Sequence, residues 1–162
     1  MHMLDYQEDF PVSDVYFTAL SDCGAFVVTT GGMSLKNMES ASFSMREWAS
    51  NNLLDARQRS EIIKEMKEKG ILIVAGTDAQ EGQMDFGEDY FQELNLYQMA
   101  GFSNEEILKA ATGNAAEAFG LPIGELKVGS KANMVMLSGN PLTDLKNLRL
   151  VEQVWKNGES LN

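Results

Sequence analysis

The sequence predicts an α/β fold built on parallel strands, and three observations predict it. Two continuously apolar runs, "AFVVTT" (25–30) and "ILIVAG" (71–76), have strand length and do not alternate, which is how strands covered on both faces read. Helical segments precede and separate them, giving the order helix, strand, loop, helix, strand. The chain of 162 residues suits one domain of ordinary size with a real core, and it contains no internal repeat or low-complexity tract.

Each element has a local cause. "SDVYFTALSDCG" reads as a short helix with Ser13 as N-cap, Val15, Ala19 and Leu20 on one face, and Gly24 as the stop. The first strand, "AFVVTT", is β-branched. "GGMSLKNMESAS" is polar and reads as a loop. "LDARQRSEIIKEMKEKG" is an amphipathic helix with Ile62, Ile63 and Met66 inward and Gly70 at its end. After the second strand comes an acidic loop, then the helix "EDYFQELNLYQMAG", with Phe91, Leu94 and Tyr97 as its core contacts. "SNEEILKAATG" opens with Ser103 and Glu106 at capping-box spacing. "NAAEAFG" is a last short helix. From residue 121 the chain turns Gly-, Asn- and strand-rich. "NMVML" and "VEQVW" are strands, and Asn157-Gly158 signals a two-residue hairpin. A subdivision near residue 121 is expected, with a tail too small to fold alone.

The totals exclude several classes of function. A net charge of −11 argues against nucleic-acid or anionic-membrane binding, which needs Lys and Arg clusters. No run approaches the roughly 18 apolar residues of a membrane span. No charged start followed by an apolar run marks a signal peptide, so the expected location is the cytoplasm. Cys23 is the single cysteine, which rules out an intrachain disulfide or a cysteine-based zinc site. It reads as a buried structural thiol. The ten methionines are spread along the chain as core filling, and Trp48 and Trp155 read as packing residues.

The chemistry centres on "ILIVAGTDAQ" (71–80). A buried-type strand runs into Asp78 and then into "EGQMDFGEDY". A carboxylate at such a strand end either bonds loop amides or is placed for catalysis. Asp78, Glu81, Asp85, Glu88 and Asp89 together could hold Ca²⁺ or Mg²⁺ through oxygen ligands, but they lack EF-hand order and read first as a solvated acidic loop. Thr29 and Thr30 end the other strand and are expected to face the same mouth.

"VAGTDA", "ELNLYQMAGFSNEEILKAATGNAAEAFGL" and "IGELKVGSKANMVMLSGNPLTDLKNLRLVEQVWKNGE" resemble the C-terminal part of metal-dependent amidohydrolases, nearest the imidazolonepropionase and Xaa-Pro dipeptidase-like subgroup. The likeness covers at least residues 71–159, and "CGAFVVTT" matches more loosely. It implies the last two to three βα units of a TIM-like (β/α)₈ barrel over residues 1–120. Residues 121–162 would then be a strand segment of the small sandwich domain. "ILIVAGTD" would be the last barrel strand, and catalysis would sit at the strand ends. The resemblance makes Asp78 the catalytic residue and a metal ligand. It implies a divalent metal, zinc, in the parent family, and a small amide or dipeptide as substrate.

The chain departs from the family pattern. The paired-histidine motif, the bridging lysine or carboxylate and the downstream metal histidines have no counterpart. A typical barrel takes about 250 residues. His2, the one histidine, has the spacing of a second metal ligand; the other reading is a terminal or cloning histidine. Phe86-Gly87 stands where many relatives have His-Gly, and Asn133 where the family has Asp. The expectation is therefore a truncated hydrolase that binds no metal and is inactive alone. It would be a homo-oligomer or the partner of a complementary amidohydrolase fragment. The alternative is a non-catalytic structural module.

Overall fold

The computed structural model of the chain describes residues 14–32, 56–79 and 86–161. It forms two compact units, Met1–Gly101 and Phe102–Asn162. The first contains α1 (Asp14–Asp22), β1 (Phe26–Val28), α2 (Ala56–Glu68), β2 (Leu72–Val74) and α3 (Glu88–Met99). β1 and β2 are parallel, with Phe26 opposite Leu72, Val27 opposite Ile73 and Val28 opposite Val74.

Alternation along the two strands gives the pair two faces. Val27 and Ile73 share one face, and both are buried. Phe26, Leu72 and Val28 lie on the other and remain partly exposed, beside a buried Val74. α2 turns Arg59, Ser60, Ile63 and Met66 inward, the i, i+4, i+7 stripe of a helix lying on a core. Ile62 is half-buried at the margin of that stripe. α3 buries Leu94 and Tyr97 as expected, while Phe91 is only half-buried.

Two expectations fail in α1. Phe17, and not the Val15–Ala19 face, packs inward; Val15 is 77% exposed. The largest apolar side chain of this nine-residue helix sets its orientation, and Val15, two positions away, falls on the far side. Cys23 is exposed, its thiol donating to the Leu20 carbonyl oxygen at 3.3 Å. It sits where the helix has already ended and the chain turns at Gly24. Ser13, Trp48 and most of the loop after β1 lie outside the described residues.

The second unit contains α4 (Asn104–Ala111), α5 (Gly113–Ala118), β3 (Met134–Leu137), a 3₁₀ turn (Leu145–Arg149), β4 (Val151–Lys156) and β5 (Glu159–Leu161). The capping box is complete: Ser103 Oγ accepts from the Glu106 amide at 3.2 Å, and Glu106 Oε2 accepts from the Ser103 amide at 2.7 Å. β3, β4 and β5 form an antiparallel sheet in that order. The β4–β5 hairpin turns on Asn157 and Gly158, both with positive φ (54° and 85°), as a type I′ turn demands. Asn133 has a structural use: its Oδ1 accepts from the Asn157 amide at 2.8 Å and ties the hairpin to the start of β3.

Candidate functional site at the strand ends

In a parallel sheet the ends of neighbouring strands emerge on the same side, which brings the turn after β1 beside the turn after β2. The Thr30 amide donates to the Gly76 carbonyl oxygen at 3.0 Å, extending the pairing past the last strand residues. Gly76 is required by this closeness: a Cβ there would lie 2.7 Å from Val28 Cγ1. Thr77 and Asp78 follow. Asp78 is solvent-exposed and adopts φ +51°, a left-handed conformation that Asp tolerates better than most residues. The structure thus gives Asp78 a conformational reason to be an aspartate as well as a chemical one.

On the β1 side Thr29 and Thr30 are 0% and 4% exposed, so their hydroxyls do not open to the solvent-facing mouth as the sequence suggests. They turn inward because α3 crosses the strand end and supplies polar partners. Thr29 Oγ1 donates to Glu93 Oε1 and lies 2.6 Å from the Tyr97 hydroxyl. Tyr97 in turn donates to Glu93 Oε1 at 3.1 Å, and its oxygen lies 3.4 Å from the Val74 carbonyl oxygen. Thr30 holds φ +47°, strained for a β-branched residue. The next carbonyl, that of Gly31, accepts from the Arg59 guanidinium of α2.

Glu93 is the centre of this cluster and is fully buried. Desolvation pushes its carboxyl above the ordinary range, outweighing the opposing hydrogen bonds from Thr29 and Tyr97 and the nearby Gly31 and Gly32 amides. Tyr97 is likewise raised, first by burial and then by the Glu93 charge. Glu93 Oε2 and Thr30 Oγ1 are buried with no hydrogen bond among the described residues. Sequence reasoning missed Glu93 and Arg59 because both sit in helices that read as polar-faced. The available signal was "TTGG", whose paired glycines announce that another backbone comes close.

Of the expected acidic loop, Glu81 and Asp85 lie outside the described residues, as does His2. Glu88 is half-buried, and Asp89 is fully buried in the first turn of α3, so that residue does not belong to a solvated loop. Asp89 goes in because it lies one turn before Glu93 on the buried face of the same helix. Phe86 is 63% exposed. Among the described residues no three His, Cys, Asp or Glu side chains gather as a metal site would require. A catalytic zinc takes about three protein ligands. Exposed Asp78 and the engaged, buried Glu93 do not make such a set. The described residues therefore do not fit a catalytic zinc, and no chemical step is routed through one.

Residues 2–161 match the pattern of the amidohydrolase family. The chain belongs to that family. Within it, the curated ochratoxinase of Aspergillus niger is 33% identical over 96 residues, which make up 56% of this chain and 19% of the ochratoxinase. Amidohydrolase structures superpose on most of the chain. A Xaa-Pro dipeptidase with bound methionine in its active site gives a TM-score of 0.77 at 23% identity, covering 93% of this chain and 37% of the dipeptidase. The A. niger ochratoxinase structure gives 0.69 at 23% identity, covering 91% of this chain and 34% of that one. A prolidase complexed with N-methylphosphonate-L-proline gives 0.74 at 24%, covering 93% and 38%. The chain thus spans little more than a third of each amidohydrolase structure, and its α/β fold is that of part of an amidohydrolase barrel. No helix of the described residues is long and apolar enough to cross a membrane.

Proposed function

We propose that this chain carries the closing part of a metal-dependent amidohydrolase whose parent reaction hydrolyses the C–N bond of a small amide or dipeptide. The observation that carries the reading is Asp78. It stands exposed at the exit of a parallel strand, beside the exit of its neighbour, in a chain that matches the amidohydrolase family along nearly all its length. Its role in the parent reaction would be to contact the metal and take a proton from the attacking water. His2 is proposed as the second ligand contributed by this chain. Residues 1–120 correspond to barrel and 121–162 to the strand segment of the small sandwich. Asn104 Nδ2 donates to the Leu142 carbonyl oxygen at 3.0 Å, and Gly124 packs on Ala116, so α4 and α5 pack with that segment. The packing boundary at Gly101 accordingly falls ahead of the sequence boundary.

On this reading the isolated chain is inactive, since one carboxylate and one histidine fall short of a zinc site. The purified chain is expected to retain no stoichiometric zinc after dialysis and to turn over no dipeptide or cyclic amide with added Zn²⁺ or Mn²⁺. Elemental analysis beside an amidase and dipeptidase screen checks this. One tightly held metal per chain, with turnover abolished by Asp78→Asn, would show instead that the chain is a complete enzyme.

The proposed partner is a second copy or a complementary amidohydrolase fragment. Support comes from the β1–β2 face that carries Phe26, Leu72 and Val28, since Phe26 is 37% exposed and the other two are half-buried. A barrel strand of this kind has its inner face covered by its neighbours across the barrel. Light scattering at tens of micromolar, roughly the range in which weak interfaces form, is expected to report a dimer or larger species. A clean monomer at that concentration counts against it.

A further inference from the structure

The hydroxyl and carboxyl groups around Glu93 can be ordered in two ways, and the two orders hold the strand ends differently. With the carboxyl neutral and its proton on Oε1, one directed chain satisfies every O–H donor. Glu93 donates to Thr29, Thr29 donates to Tyr97 across 2.6 Å, and Tyr97 donates to the Val74 carbonyl oxygen across 3.4 Å. That chain starts on α3, passes through the end of β1 and finishes on β2. With the carboxyl ionised, Thr29 and Tyr97 both point their protons at Oε1, and the link to Val74 is given up. The negative charge then sits in a fully buried site with Oε2 lacking a hydrogen bond among the described residues. A buried charge without full pairing is the costlier state.

The segment this network holds is strained. Thr30 sits at φ +47°, and its neighbours are fixed from three sides: the Thr30 amide on Gly76, the Gly31 carbonyl under Arg59, and Thr29 on Glu93 and Tyr97. Strain of this kind persists only while the surroundings over-determine it. We propose that Glu93 is a proton-operated latch: with its proton on, it clamps the strained exit of β1 to α3 and β2, and losing the proton releases the Thr29–Gly32 turn. The charged and titratable groups around it are few among the described residues. Tyr97, Tyr90 and Asp89 share α3 with it, and Arg59 reaches in from α2 to Gly31. β1 and β2 bring none. The upward displacement of Glu93 by burial agrees with the geometry.

The sign follows from linkage. The folded chain holds the Glu93 proton to a higher pH than the unfolded chain does, so between those two titrations the unfolded state binds fewer protons and stability falls as pH rises. The latch contributes fully below the ordinary glutamate range and is lost as pH climbs through the raised one.

The test uses the whole chain and two readouts. Amide exchange at Gly31 and Gly32, corrected for the intrinsic base-catalysed rate, is measured between pH 6 and 9 in the wild type and in Glu93→Gln. Wild-type protection is expected to fall by about fivefold or more over that range, the equilibrium worth of one net hydrogen bond, while Glu93→Gln, which cannot ionise, stays flat. Equal pH dependence in both would overturn the latch. Should Glu93→Gln fail to fold, infrared spectra of wild type labelled with ¹³C-glutamate decide the matter. A protonated carboxyl band that moves with the label and fades as pH rises is expected. If no such band appears at the lower pH, Glu93 is ionised in the fold and the proposal fails. The glutamate label separates Glu93 from its buried neighbour Asp89.

Discussion

Gly32→Ala is expected to lower the stability of the first unit by about 1–3 kcal/mol or more, the range seen when a packed site receives an atom it cannot accommodate. A Cβ at Gly32 would collide with the Asp89 carbonyl oxygen, and it would lie 2.8 Å from the Glu93 amide nitrogen and 3.0 Å from Glu93 Cβ. Two of those neighbours are main-chain atoms of α3, and no rotamer moves them. Either the helix lifts from the turn or the turn opens, and both routes pull Thr29 away from Glu93. A comparison with Gly70→Ala isolates the contact. Gly70 also needs a left-handed conformation (φ +71°), but nothing lies within 4 Å of a Cβ placed there, so that change should cost only about 1–2 kcal/mol, the penalty of the backbone alone. Urea melts followed by circular dichroism give both values. If Gly32→Ala melts no earlier than Gly70→Ala, the close approach of turn and helix does not hold the site together.

Much of this architecture is written in short-range pattern. The apolar runs at 25–30 and 71–76 announce parallel strands because strands covered on both faces need no polar alternation. The capping box at Ser103 and the Asn157-Gly158 turn are legible because each is a local bargain between neighbouring residues. The buried cluster is not legible in that way. Glu93 lies 64 positions from Thr29, and nothing in "FQELNL" states that its glutamate faces inward. Polarity normally places such a residue outside, and only the long-range supply of two hydroxyls overrides that rule. α1 misleads for a related reason. Several faces of a nine-residue helix are apolar enough to bury, and the surrounding shape selects Phe17 over Val15. Asp78 was found by its place after a strand, a signal that does not separate a catalytic carboxylate from one chosen for a left-handed turn.

Mutating two residues of a single strand-and-turn separates those meanings. Ile73→Ala should destabilise the chain by roughly 2–5 kcal/mol, since Ile73 is 2% exposed, pairs with Val27 in mid-sheet, and truncation removes buried methyl groups while leaving a cavity. Asp78→Ala should cost about 1 kcal/mol, the net value of one hydrogen bond together with part of the preference for Asp in a left-handed turn. Asp78→Asn should be nearly neutral for folding, because asparagine tolerates φ +51° and can accept the same amide bonds. The ordering in urea melts is thus Ile73→Ala far below wild type, Asp78→Ala slightly below it, and Asp78→Asn beside it. An aspartate that is cheap to lose for folding, exposed at the exit of a buried strand, is one whose carboxylate has its use outside the fold. If Asp78→Ala instead unfolds the chain more readily than Ile73→Ala, the carboxylate is a structural keystone. The amidohydrolase reading of Asp78 then loses its main support, while family membership, which rests on the whole match across residues 2–161, stands.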